Sequence, residues 1–483
     1  DCLEADDIYE FRDKRIAGAF RSATASEPGK VQQMVREYHL RFVQVRQEDM
    51  AKRSLDATQL SFNEVMALAF HTSMVAERIP GETIRWALLA ADCCERQRLY
   101  GRALERLTPA VRLVLGRNDL LVPVEDRMRI LQRHVELLLD VDGDMSAAEA
   151  TLDQLTREIA ALPAPEGSRF DARRCLLAAL VAYRARRFAE VAGIVKVLDS
   201  NEAAEDWMRL RGRFLATMSL DPRGEAERRL AELESLLVTV EAAAGTAADG
   251  GERAKAHALR LLMSELLNAL GGVRLHVGKD PAAARDAFES ALRLNRDPEI
   301  ADRKGEAIAF GGLGDVWSAL ARDATDEATE AAHLEQAREA FEKNLAISRE
   351  TGDQAGIMRM TSMLGGIKAD EAAAATGGSD RGRLVAEARR FYEESTMLSI
   401  EHRRSFSFRF GFAGLVRVER IAGTSGGILD SILEEAGSAG LLDDDTRLFI
   451  RETLEGDGGS SELQATLARL ARMLEPVADA TGS

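Results

Sequence analysis

An acidic stretch at residues 140–150, DVDGDMSAAEA, has side chains of the type that bind metal ions. A calcium loop of the EF-hand type needs glycine at its sixth position and glutamate at its twelfth. Here Gly143 is fourth and Thr151 is twelfth. The spacing therefore predicts a capped turn between two helices, and we expect no metal site.

Nucleophiles and bases are scattered along the chain. The seven histidines form neither an HExxH nor an H-x3-H pattern, and the four cysteines contain no CxxC spacing. No GxxxxGK[ST] phosphate loop occurs. Cys175 and His134 are one dyad that a fold would have to bring together in space. We therefore predict no catalytic centre and no cofactor, and the cysteine usage favours a reducing compartment.

Residues 401–415, EHRRSFSFRFGFAGL, interleave phenylalanine with basic residues. Such a pattern can stack nucleic-acid bases, but the net charge of −16 argues against a nucleic-acid partner. We expect the first helix of a last repeat, with some phenylalanines packed in the core or in a cap and others lining a groove. A partner-binding patch at Phe408, Arg409 and Phe412 is the alternative.

The amino-acid composition indicates which type of secondary structure carries the residues discussed above. Alanine, leucine, arginine and glutamate dominate, whereas the 483 residues include only 10 Pro, 5 Tyr and 3 Trp. This mixture favours helices over strands and predicts an all-α fold. No apolar run approaches the ~18–20 residues that span a bilayer. We expect a cytoplasmic protein with no membrane partner, and the excess of arginine over lysine indicates a bacterial source.

A small residue followed four positions later by a larger apolar one recurs every 35–58 residues. The pairs are Ala103/Leu107, Ala148/Leu152, Val191/Val195, Ala226/Leu230, Ala284/Phe288, Ala337/Phe341 and Ala388/Tyr392. A second pattern places glycine after an apolar residue at Leu270-Gly271, Leu313-Gly314, Leu364-Gly365 and Ala413-Gly414. Helical glycine costs about 1 kcal/mol relative to alanine, so its recurrence predicts a close approach of two backbones.

The segment Phe310-x2-Leu313-Gly314-x2-Trp317, followed by Ala337 and Phe341, resembles the tetratricopeptide repeat. Residues 340–366 also resemble the longer repeats of kinesin light chains and of the arms of bacterial signalling ATPases. The resemblance covers roughly residues 85 to 420. It implies an α-solenoid of about seven to eight helical hairpins in a right-handed superhelix, with helical caps. Most of the repeats exceed the usual 34 residues, and the closing proline is largely missing.

Breaks in the pattern predict five segments. These are an N-terminal helical cap (1–84), a first array (85–240), an Ala/Gly-rich joint (241–255), a second array (256–420) and a C-terminal helical cap (421–483).

The resemblance implies that the first helix of each hairpin lines a concave face. The residues predicted to face it are Arg85, Arg133, His134, Arg173, Arg211, Asn268, His276, Arg359 and Phe408. A positive stripe of arginines would suit an acidic peptide, because guanidinium pairs with carboxylate through two hydrogen bonds. The alternative is that each arginine pairs with an acidic residue of the next helix.

The leading functional hypothesis is a non-catalytic scaffold that binds a protein or peptide in the concave groove, within a larger complex. The alternative is a regulatory or sensor module of a bacterial enzyme, such as a signalling ATPase, a kinase or a caspase-like protease, fused to it or docked in trans. The absence of an initiator Met favours that alternative. A stand-alone enzyme lacks any supporting nucleophile and base spacing.

Overall fold

The computed structural model describes residues 28–96, 99–116, 122–141, 145–222, 224–424, 426–455 and 460–474. Within these ranges the chain forms twenty α-helices and one 3-10 turn at Ala57–Gln59, with no strand. Helices pack mainly on their neighbours in sequence. The predicted all-α solenoid is therefore confirmed, whereas the handedness of its superhelix stays a prediction.

The packing divides the chain into two units. Unit 1 comprises residues 1–138 and 147–161, and unit 2 comprises residues 139–146 and 162–483. The described helices of unit 1 are α1 (Pro28–Lys52), α2 (Phe62–Ser73), α3 (Pro80–Arg96), α4 (Tyr100–Gly116), and most of α5 (Val124–Val141) and α6 (Met145–Ala160). Helix α2 begins with a capping box, in which Ser61 and Glu64 satisfy each other's backbone N–H groups.

The acidic stretch at 140–150 lies across the end of α5 and the start of α6. Residues 142–144, including Gly143, are outside the described part of the chain. In the part that is described, no three His, Cys, Asp or Glu side chains converge as a metal site would require.

Unit 2 contains the remaining helices, and consecutive pairs of them form hairpins. They are α7 (Ala164–Arg184), α8 (Phe188–Ser200), α9 (Asp206–Met218), α10 (Ala226–Asp249), α11 (Arg253–His276), α12 (Pro281–Asn295), α13 (Arg303–Arg322), α14 (Glu327–Thr351), α15 (Gln354–Ala374), α16 (Gly378–Glu401), α17 (Ser405–Ala422), α18 (Gly427–Ser438), α19 (Asp444–Leu454) and α20 (Ser461–Met473). We call the odd-numbered member from α3 onward the first helix of its hairpin.

The turn between α14 and α15 shows how the sequence ends one helix and starts the next. Gly352 follows α14 with φ +71°, a left-handed conformation that glycine adopts without a Cβ clash. The Asp353 carboxylate then accepts a hydrogen bond of 3.1 Å from the Gly356 N–H. A glycine C-cap followed by an aspartate N-cap therefore fixes a tight connection.

The small-and-large pairs on the second helices form the core between hairpins in unit 2. Phe288 and Tyr392 are almost fully buried, as are the alanines four residues before them. The Ala226/Leu230 pair is different, because both residues are only partly buried. On α10 the buried stripe is instead Leu233, Leu236 and Val240. The prediction was correct about the pattern on most second helices and off register on this one.

The recurring glycines face aromatic rings rather than another backbone. A Cβ placed on Gly271 would lie 2.7 Å from the Phe288 ring, and one on Gly312 would lie 2.2 Å from the same ring. A Cβ on Gly414 would likewise lie 2.0 Å from the Tyr392 ring. Each ring is thus clamped between first helices that carry no side chain at the contact, which replaces the predicted contact between backbones.

The Ala/Gly-rich segment 241–255 is largely helical. It forms the end of α10 and the start of α11, and both helices belong to unit 2. Alanine has the highest helix propensity, so an alanine-rich run extends a helix unless glycines cluster in it. The five predicted segment boundaries stay a prediction.

A helix that crosses a bilayer must be both long and apolar. Among the residues that the structure describes, none of the helices combines the length and the hydropathy of a bilayer-crossing segment.

Candidate functional site

Three consecutive first helices of unit 2 expose a side chain at the same register. Gly312 and Gly414 both face the ring of the preceding hairpin, so they occupy equivalent positions. Ile308 lies four residues before Gly312 and is 47% exposed, and Phe410 lies four residues before Gly414 and is 49% exposed. Gly314 and Gly365 likewise both face the ring of their own hairpin, which makes Arg359 the equivalent of Ile308 on α15.

This register corrects the prediction for α17. The sequence pattern equates Gly414 with Gly314 and so places Phe408 on the groove face. Gly414 is instead equivalent to Gly312, which moves the groove position by two residues to Phe410. Phe408 and Phe412 lie four residues apart on the opposite face and are 0% exposed. Both belong to the core, and neither offers its side chain to a partner.

The exposed phenylalanines of α17 form a small aromatic patch. The Phe406 and Phe410 rings meet edge to face with centroids 5.0 Å apart, and the Phe449 ring lies 5.9 Å from Phe410. The Arg186 guanidinium lies 5.1 Å from the centre of the Phe406 ring. We call Phe406, Phe410 and Phe449 the aromatic patch.

A cavity of about 480 Å³ lies against the amino-terminal ends of α13, α15 and α17. Its lining includes Lys304 and Ile308 of α13, Arg359 of α15, and Arg404 just before α17. We call it the amino-end cavity. Its volume falls within the range of about 300–1,000 Å³ typical of ligand pockets.

A second cavity of about 520 Å³ lies toward the carboxyl ends of the first helices α11, α13 and α15. Its lining includes His276 of α11, Asp315 and Arg322 of α13, and Met363 and Asp370 of α15. We call it the carboxyl-end cavity. His276 is an exposed residue in the lining of this cavity.

One ion pair joins the two cavities. Arg359, which lines the amino-end cavity, donates to the carboxylate of Asp315, which lines the carboxyl-end cavity. Burial raises the pKa of the Asp315 carboxyl, while the positive charge of Arg359 and the neighbouring His276 oppose this shift. Only 14% of the Asp315 side chain is exposed, against 52% of the Arg359 side chain.

Three of the five arginines predicted to form the positive stripe, Arg133, Arg211 and Arg359, already have acidic partners. Pairs that link first helices include Arg133 with Glu95, Arg211 with Glu265, Arg359 with Asp315, and Arg417 with Asp370. Each acidic partner lies one hairpin away, where the solenoid brings it alongside the arginine. The first helices therefore carry a ladder of neutralised pairs rather than an array of uncompensated cations.

The predicted residues of unit 1 divide into exposed and buried positions. Arg85 is exposed and lies 5.3 Å from the neighbouring Trp86 ring. Arg133 is half-buried by its contacts with Glu95 and Glu136. His134 is 9% exposed, and its Nδ1 lies 3.0 Å from the Thr151 hydroxyl. His134 is thus a packed histidine rather than a groove residue, because α6 supplies a hydroxyl against it.

Three further predicted residues of unit 2 have structural contacts. The Arg173 guanidinium lies 5.2 Å from the Trp207 ring. Asn268 is 9% exposed and donates to the Gly305 carbonyl at 3.5 Å, so it bridges α11 and α13 from a buried position. Arg409 donates to the Thr446 hydroxyl at 2.9 Å and to the Asp443 carboxylate at 3.2 Å. Asn268 and Arg409 therefore join helices within unit 2.

Sequence reasoning missed Ile308 and Met363 as accessible residues, and within 401–415 it chose Phe408 and Phe412 rather than Phe406 and Phe410. They look like ordinary core positions, because isolated apolar residues on a helix are usually buried. The informative feature was the presence of both Gly312 and Gly314 on one first helix, since Gly312 faces the Phe288 ring and Gly314 faces the Phe341 ring.

Comparison with known proteins adds little beyond the fold. No family model matches the chain, and no curated protein matches it. Among solved structures, the chain is similar to a Rap protein complexed with competence and sporulation factor, with 13% identity and a TM-score of 0.42 over 81% of this chain and 96% of that one. It is also similar to a circular tandem repeat protein with a novel repeat topology, with 15% identity and a TM-score of 0.20 over 86% of this chain and 87% of that one. Both TM-scores lie below 0.5, so the assignment of an all-α solenoid rests on the helices themselves.

Proposed function

We propose that this chain is a TPR-like, non-catalytic scaffold that binds a segment of another protein along the first helices α13, α15 and α17. The observation that carries the proposal is the shared register of Ile308, Arg359 and Phe410, three accessible side chains on successive first helices, of which Ile308 and Arg359 line the amino-end cavity. The composition supports a bacterial, cytoplasmic protein.

Apolar contacts would supply most of the binding energy. A phenylalanine buries roughly 150–250 Å², and Phe406 and Phe410 each have about half of their surface left to cover. At about 25 cal/mol per Å², covering both would contribute roughly 4–6 kcal/mol before the entropy cost of binding. Because Arg359 already has Asp315 as an ion-pair partner, we expect charged contacts to contribute less to the affinity than these apolar contacts do.

The test uses a phage-displayed dodecamer library panned on the full chain. Enriched peptides are synthesised with a fluorophore and titrated by anisotropy against the wild type and Phe410→Ser. We expect Phe410→Ser to weaken binding about tenfold or more, because an exposed aromatic residue at the centre of a site is a typical energetic hot spot.

A matched control is Phe188→Ser. Phe188 is 41% exposed, lies on α8 of the same unit, and lines neither the amino-end nor the carboxyl-end cavity. It should leave binding unchanged. Equal losses in both variants would indicate nonspecific adhesion, and unchanged binding in Phe410→Ser would place the site elsewhere.

A further inference from the structure

The position of the Arg359–Asp315 pair bears on the chemistry of the bound segment, an inference that rests on the proposed function. The pair stands where the amino-end and carboxyl-end cavities meet, since each residue lines a different one. A segment that follows the first helices through both cavities must therefore cross this pair.

We propose that the bound segment places an acidic side chain on Arg359, next to an apolar side chain that covers Ile308 or the aromatic patch. In this arrangement Arg359 determines specificity, and Asp315 is a positioning residue that holds the guanidinium across the groove.

The geometry of Arg359 leaves room for a second carboxylate. The guanidinium has five N–H donors in a planar fork, and the contact with Asp315 runs from its Nη2. Half of the side chain is exposed, whereas Asp315 is mostly covered. Asp315 therefore anchors one edge of the guanidinium, and the other edge can receive a carboxylate through charge-assisted hydrogen bonds.

The charge of the amino-end cavity favours the same partner chemistry. Four basic residues, Arg184, Lys304, Arg359 and Arg404, line it together with one carboxylate, Asp353. This local excess occurs in a chain whose net charge is −16.

The hydrogen bond that Asp353 already makes and the helix ends at this cavity add to the preference for an acidic partner. Asp353 already accepts the Gly356 N–H as the N-cap of α15. The amino ends of α13, α15 and α17 also point their partial positive charge toward this region. An acidic group therefore fits the cavity better than a basic one does.

The experiment repeats the dodecamer selection on the full chain, on Arg359→Gln and on Arg211→Gln. Arg211 is the matched control, because it belongs to the same ladder through Glu265 but lines neither cavity. Wild type and Arg211→Gln should both enrich peptides with Asp or Glu at a fixed distance from an aliphatic or aromatic residue. Arg359→Gln should still enrich the apolar residue but lose the acidic preference.

Titration makes the same test quantitative. Replacing the acidic residue of an enriched peptide by its amide should weaken binding to wild type about fivefold to tenfold. The same replacement should change binding to Arg359→Gln by less than about twofold.

Each alternative outcome has one interpretation. Apolar peptides without an acidic preference would overturn the role of Arg359 and leave the scaffold intact. An acidic preference that survives Arg359→Gln would assign it to other basic residues. No enrichment on wild type would refute the proposed function itself.

Discussion

Replacing Gly271 by alanine tests the clamp between first helices and aromatic rings. Its neighbour Gly272 provides an internal comparison, because both glycines lie inside α11. A Cβ on Gly271 would lie 2.7 Å from the Phe288 ring, whereas one on Gly272 meets nothing within 4 Å. Carbon atoms in contact normally stay about 3.5–4.0 Å apart. The ring or the helix must therefore move by about 0.8 Å or more.

The two substitutions should differ in their effect on the stability of unit 2. Alanine gains about 1 kcal/mol of helix propensity over glycine at either site. At Gly272 this gain stands alone, so Gly272→Ala should stabilise unit 2 by about 0.5–1 kcal/mol. At Gly271 overpacking costs about 1–3 kcal/mol, which cancels or reverses the gain. The two variants should differ by about 1–3 kcal/mol.

Urea unfolding followed by circular dichroism at 222 nm measures this difference. The double variant Gly271→Ala/Phe288→Leu should lose less stability than the two single changes added together, because the shortened side chain leaves space for the new methyl group. If Gly271→Ala and Gly272→Ala are equally stabilising, the Phe288 ring does not fill the space above Gly271 and the clamp is wrong.

Three further predictions concern stability and its pH dependence. His39 and His71 are buried with their Nδ1 atoms 2.8 Å apart, and burial followed by the charge of His39 lowers the pKa of His71 to about 4. Because the unfolded histidine binds a proton near pH 6.5, the stability contributed by the neutral His71 is complete above pH 6.5 and should fall by about 2–3 kcal/mol as the pH drops toward 4. Thermal unfolding at pH 7 and 4.5 should show this loss in unit 1 of the wild type, and the His39→Leu/His71→Leu variant should lack it. Phe408→Ser, at a 0% exposed position, should destabilise unit 2 by about 3–5 kcal/mol in urea unfolding, whereas Phe410→Ser should cost less than about 1 kcal/mol. Equal costs in the two variants would refute the register assigned to α17. Asp353→Ala removes the N-cap of α15 and should cost about 1 kcal/mol in the same assay, an effect that Asp353→Asn should largely spare.

Composition and spacing determined the fold class and most hairpins of this protein. Alanine, leucine and charged residues favour helices through their intrinsic propensities, which do not depend on tertiary context. A small residue and a larger one four positions apart define a helical face before any partner is known. The pattern failed on α10, where Leu233, Leu236 and Val240 form the buried stripe, because two overlapping apolar faces are consistent with the same residues.

The charge state of the groove was decided by tertiary structure. The sequence shows arginine at a recurring register, but it does not show that an acidic residue one hairpin away lies beside it. Arg133 and Glu95 are close only because successive first helices pack side by side, and the same holds for Arg211 and Glu265. Pairing across repeats turns a predicted positive stripe into a neutral ladder, since Coulomb energy depends on distance in space.

The identity of the accessible side chains was decided by packing as well. Phe408 and Phe410 have the same chemistry and lie two residues apart in one helix, yet one is in the core and the other is half exposed. The difference depends on which ring Gly414 faces, and this contact with Tyr392 is set by the hairpin that precedes it. A helix turns about 100° per residue, so a two-residue error moves a side chain to the opposite face. The sequence by itself therefore determined that these helices form and repeat, and tertiary packing determined which face each of them presents.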